Sequence, residues 1–165
     1  MQRRIQVKLT KDSINNAIRE LADYKAEIKR KTSELTEALA SEGVFIAKTW
    51  IIAYGAYETG DLMNSIEGIF DASTGRGFIK ATSDHAAYVE YGTGVVGLEH
   101  QGESPDRPAG WDYDTNEHGH DGWYYYTSGY KRWTKGMPPR PFMYQTFIEL
   151  SQKAHEIAKV KFTNG

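Results

Sequence analysis

The sequence predicts an α+β chain in which a long amphipathic helix is followed by a β-hairpin, a glycine-rich aromatic stretch and a second amphipathic helix. Three observations carry that prediction. Ile14, Ile18, Leu21, Ile28, Leu35 and Leu39 recur at spacings of three, four or seven, with charged residues such as Arg19, Glu27 and Lys29 between them. Two strand-like segments, 65–72 and 76–82, flank the turn residues Ser73-Thr74-Gly75. A second helical stripe runs through Phe142, Tyr144, Phe147, Leu150, Ala154, Ile157 and Ala158. A chain of 165 residues with 39% hydrophobic content has enough apolar material for one core and too little for two, so 1–165 is read as a single domain.

Taken in order, Arg3 to Thr10 alternate in polarity, with Ile5, Val7 and Leu9 on one side, which predicts a short strand. Asp12 or Ser13 is the expected N-cap of the long helix. Gly43 is expected to break or bend it, after which Val44, Ala47, Trp50, Ile51 and Tyr54 resume the stripe as far as Gly55. Ile14, Leu21, Ile28 and Leu35 lie seven residues apart, as in a coiled-coil seam, but Glu42 ends the series. With so few heptads, packing across the chain's own sheet is the favoured reading. Ala86 to Tyr91 forms a short apolar element. From about Gly92 to Pro141 the chain concentrates its Gly and holds all of its Pro, and eight of its 21 aromatics fall between Trp111 and Trp133. That composition predicts a long aromatic loop or an inserted hairpin, over about 95–137.

Charge and composition exclude several classes. The 20 Lys+Arg nearly balance the 22 Asp+Glu, so no global basic field exists to hold a nucleic acid or an anionic membrane. Without Cys there are no disulfides and no thiolate metal sites, which suits a reducing cytoplasm. The start MQRRIQVKLT lacks the apolar core of a signal peptide, and no stretch is long enough to span a bilayer, so a soluble, unprocessed chain is expected. There is no Gly-x-Ser-x-Gly elbow and no phosphate loop, so no nucleophilic catalysis is expected.

Three segments, in this order, resemble a known family. They are Tyr57-Glu58-Thr59-Gly60-Asp61-Leu62 with Asn64-Ser65-Ile66, then Ala87-Tyr88-Val89-Glu90-Tyr91-Gly92-Thr93-Gly94, then Pro139-Arg140-Pro141-Phe142-Met143 with Thr146 and Phe147. They are similar to the Thr-Gly-x-Leu-x-x-Ser-Ile, aromatic-Val-Glu-aromatic-Gly-Thr and Pro-x-Pro-Phe-Met patterns of the phage family named after gene product ten of phage HK-ninety-seven. Members of that family are tail-completion, neck or minor tail components. The resemblance implies a long helix against a curved antiparallel sheet and a homo-oligomeric ring on the tail axis, with other phage tail or head-tail connector proteins as partners. It further implies a virion location, after assembly in the host cytoplasm, and DNA passage through the ring with no direct binding site. Leu98 to Gly136 departs from the family pattern in being long and aromatic.

The residues also have readings of their own. Thr59-Gly60 is placed to stop the long helix, and Asn64 and Ser65 to fix the turn into the strand. Glu90 is expected to pair with Arg140 or to contact a neighbouring subunit with Tyr91. Trp123, Tyr124, Tyr125, Tyr126, Tyr130 and Trp133 are expected to form a hairpin that docks on another protein, because Tyr and Trp bury much area while keeping a polar tip. The alternative is a binding module for carbohydrate or nucleic acid, with Lys131, Arg132 and Lys135 beside the rings; Asp112, Asp114, Glu117 and Asp121 would repel a polyanion. His118, His120 and Asp121, with His100 nearby, are the candidate metal ligands. Two His two apart on a Gly-broken loop match no metallohydrolase pattern, so solvated loop polarity is favoured there, with no cofactor.

Overall fold

Helix α1 (Lys11–Ala53) is the axis of the fold, and the first β-hairpin and the C-terminal helix are laid along it. The computed structural model describes residues 6, 8–114, 117–118 and 121–163. Half of the strand expected over Arg3–Thr10 (Arg3, Arg4, Ile5 and Val7) lies outside them, and the described half is not in a strand. The cap of α1 is Thr10, two residues before the expected Asp12: it is extended, and its hydroxyl accepts from the Ser13 N–H at 3.4 Å. The Ser13 hydroxyl instead accepts from the Lys8 N–H at 2.9 Å, and Asp12 sits in the first turn, where the helix dipole favours its charge.

Gly43 does not break α1, which is continuous over 43 residues. Its missing side chain makes room for a neighbour: a Cβ there would collide with Ile79 Cδ1, and Leu150 packs on the other side. Helix α1 ends in a Schellman motif. Gly55 is left-handed at φ 65°, its N–H donates to Ile52 O and the Ala56 N–H donates to Ile51 O, each at 2.9 Å. Gly55, not Thr59-Gly60, therefore stops the helix. Gly60, also left-handed at φ 79°, precedes the short helix α2 (Asp61–Asn64).

Strands β1 (Ile66–Asp71) and β2 (Arg76–Ala81) pair antiparallel, with Ile66 opposite Ala81. Asp71 accepts from the hydroxyls of Ser73 and Thr74 at 2.6 and 2.7 Å, closing the turn and holding its own carboxyl down at about 2. One face lies directly on α1, because Gly68 and Gly77 leave room for Val44 and Thr36. The other face is open and carries Ile69 and Phe78, both exposed. The curved sheet implied by the family resemblance is not seen: among the described residues the sheets are two separate two-stranded hairpins. Six-residue strands span about 20 Å, whereas α1 is about 65 Å long, so the stripe of Ile14, Ile18 and Leu21 runs beyond the hairpin and is exposed.

Helices α3 (Ala86–Tyr91) and α4 (Gly94–Glu99) lead into a loop, then strands β3 (Trp123–Thr127), β4 (Tyr130–Thr134) and the two-residue β5 (Gly136–Met137). Helix α5 (Phe142–Thr163) returns antiparallel along α1. Trp50 donates to Glu149 at 3.1 Å, and Lys153 bridges Glu149 and Glu42 at 2.9 and 3.0 Å. The core formed between these layers consists of Ala47, Ile51, Leu62, Ile66, Ala86, Val89 and Phe142. No helix among the described residues is long and apolar enough to cross a membrane.

Candidate functional site

The three motif segments, far apart in sequence, meet in one place. Leu62 and Ile66 come from the first, Val89 from the second and Phe142 from the third, and all four are core residues. Helix α5 begins after Pro141, whose carbonyl accepts the first helical bond, from Gln145 N at 3.0 Å. Proline has no side-chain acceptor, so the first N–H groups of α5 need partners from elsewhere. Glu90 supplies them. Its carboxylate accepts from the Met143 N–H at 2.8 Å and from the Tyr144 N–H at 2.9 Å. Glu90 thus caps a helix that lies 53 residues away, with the dipole of α5 favouring its charge.

That placement replaces both expectations for Glu90. It is 3% exposed, so it does not reach a neighbouring chain, and among the described residues it forms no ion pair with Arg140. Arg140 instead lines a cleft of about 600 Å³ together with Glu58, Asp61, His85 and Met137, while its backbone N–H donates to Val89 O at 2.8 Å. Burial pushes the Glu90 carboxyl up to about 7, against the pull of the Met143 and Tyr144 N–H groups, and the negative charge of Asp106 pushes the same way. Tyr91 is half-buried, with its ring edge-on to Trp111 at 5.0 Å, and burial raises its pKa too. Trp111 ties this corner down by donating its indole N–H to Gly92 O at 3.1 Å. Just beyond, Thr93 and Gly94 bridge antiparallel to Met137 and Gly136, so closely that a Cβ on Gly136 would collide with Thr93 O.

The second feature is the β3–β4 hairpin. Its two-residue turn has Ser128 at φ 50° and Gly129 at φ 80°, the doubly left-handed form whose twist suits a tight hairpin. Register places Tyr124 opposite Trp133, Tyr125 opposite Arg132 and Tyr126 opposite Lys131. One face therefore carries Tyr124, Tyr126, Lys131 and Trp133. On it, Trp133 meets Tyr124 edge-on at 4.8 Å, and the Lys131 ammonium lies 4.2 Å from the Tyr124 ring centroid. The other face carries Trp123, Tyr125, Thr127, Tyr130 and Arg132, and the Thr127 hydroxyl donates to Glu58 at 2.8 Å, fixing the tip against the loop after α1. Tyr126 and Tyr130 are 74% and 70% exposed.

Of the candidate metal ligands, His120 lies outside the described residues. His118 stacks on the Trp123 ring at 5.2 Å, and Asp121 is exposed on the turn before β3. Among the described residues no group of three or more His, Asp or Glu is placed to hold a metal ion.

Comparison with protein-family models, with curated proteins and with solved structures finds no match to this chain. Sequence reasoning missed the partners of Glu90, although a helix starting at Phe142 behind a proline signals that some distant acceptor must cap it. It also missed the anchoring role of Trp111, for which no sequence signal is visible.

Proposed function

We propose that this chain is a structural component of a long-tailed bacteriophage virion, acting in tail completion or head-tail joining by assembling as a ring on the tail axis. It works by contact and not by catalysis. One observation carries the reading: the three segments that resemble the phage family are the ones that build a single junction, with Leu62, Ile66, Val89 and Phe142 packed together and Glu90 capping α5. Motifs that meet by chance resemblance have no reason to share a core and a helix cap. In this reading the junction makes a rigid body and the exposed aromatic hairpin makes the contact with a neighbour.

The test is removal of the gene from the phage that carries it, with negative-stain electron microscopy of the lysate before and after addition of purified protein. Filled heads separated from tails, or tails of abnormal length, rescued by the wild-type chain, are the expected result. Normal infectious particles without the gene would overturn the proposal.

A further inference from the structure

We infer that the β3–β4 hairpin of one chain docks on the acidic surface formed by Glu99, Glu103, Asp106, Asp112 and Glu117 of a second copy of the same chain. This rests on the assembly reading above and names the surfaces that meet.

The two patches are opposite in charge. From 122 to 148 the sequence holds no Asp or Glu, and Lys131, Arg132 and Lys135 lie in or beside the hairpin. None of the three enters an ion pair among the described residues. Immediately before the hairpin the balance reverses. Between 95 and 122 Arg107 is the only Lys or Arg, whereas Glu99, Glu103, Asp106, Asp112, Glu117 and Asp121 are all exposed. Arg107 donates to Gln101 O at 3.0 Å and to the Tyr113 hydroxyl at 2.9 Å, and a single guanidinium cannot offset six carboxylates.

Within one chain the base of the hairpin lies beside the acidic stretch, with Lys135 O accepting from the Val96 N–H at 3.2 Å and His118 stacked on Trp123, yet no ion pair joins the two patches among the described residues. Thr127 holds the hairpin tip on Glu58, so the face with Tyr124, Tyr126, Lys131 and Trp133 is turned away from the body. That face combines large exposed rings with the Lys131 ammonium, which has no carboxylate partner among the described residues, the composition of an interface centre that seeks an acidic partner. Two unlike patches on one chain make a heterologous contact, which repeats from copy to copy and closes as a ring or continues as a filament. A face-to-face pairing of two hairpins would instead set cation against cation.

The test is sedimentation velocity on the purified chain at low and high salt, with circular dichroism to confirm folding. Two triple variants are used, Lys131→Glu/Arg132→Glu/Lys135→Glu and Glu99→Lys/Glu103→Lys/Glu117→Lys. The wild-type chain is expected to sediment faster as concentration rises at low salt, and to lose this at high salt. Each triple variant alone is expected to stay monomeric, and an equimolar mixture of the two to associate again, because every hairpin then faces a segment of opposite sign. A hairpin variant that associates like wild type, or a folded mixture that stays monomeric, would overturn the inference. A wild-type chain that rescues particles in the lysate but stays monomeric at every concentration would also overturn it, leaving the virion role standing with a different acidic protein as the occupant.

Discussion

At the motif junction Glu90 is buried and the rings of Tyr91 and Trp111 are half-buried against each other, with Glu90 matched by two backbone N–H groups and the Trp111 indole by Gly92 O. At the β3–β4 hairpin the aromatics Tyr124, Tyr126, Tyr130 and Trp133 are about half exposed or more, beside cations that have no carboxylate partner among the described residues. Burial with every polar atom satisfied builds stability and leaves nothing for a partner to gain. Exposure of large rings and unmatched charge contributes little to folding and leaves much surface to bury on contact. The two regions should therefore separate cleanly under mutation.

The largest expected effect is at the junction. Phe142→Ala removes a ring that is 1% exposed and should cost about 3–5 kcal/mol in a denaturant melt. Glu90→Ala comes next, at about 2–4 kcal/mol, because it leaves the Met143 and Tyr144 N–H groups buried without acceptors. Glu90 should also give stability a pH dependence. Its carboxyl titrates at about 7 in the folded chain, against an ordinary value of 4.5. Between those values the folded state holds a proton that the unfolded state has lost, so the contribution of this group is greatest below 4.5 and is lost as pH rises through 7. Urea melts across that window should show a slope for the wild-type chain that Glu90→Gln flattens; equal slopes would contradict the burial argument. Gly43→Val should cost about 1–3 kcal/mol, since its side chain enters the space of Ile79 and Leu150. At the small end, Tyr124→Ala with Trp133→Ala should cost only about 1 kcal/mol, because the rings are already 57% and 49% exposed and lose mainly their contact with each other.

What could be read from the sequence follows the range of the interactions involved. Periodicity located α1 and α5, and local turn chemistry located the first hairpin, because those signals sit within a few residues of each other. The cap of α1 was misplaced by two or three residues because Thr10, Asp12 and Ser13 are all cap-forming types, and the choice depends on where the chain arrives from. Gly43 looked like a helix breaker, yet its role is set by Ile79 across the interface, which no local pattern reports. For Glu90 the motifs offer Arg140 as the nearest opposite charge, while its partners in the fold are the backbone N–H groups of Met143 and Tyr144, which no side-chain pattern reports. The expected curved sheet came from family resemblance, and the two-stranded hairpins seen here do not extend into one.

The most direct test of the division between body and contact is to add Tyr124→Ala/Trp133→Ala protein to a lysate lacking the gene, alongside a thermal melt of the same preparation. The account predicts a melting temperature close to wild type together with failure to restore joined particles. Restoration at wild-type efficiency by a chain that melts normally would contradict it.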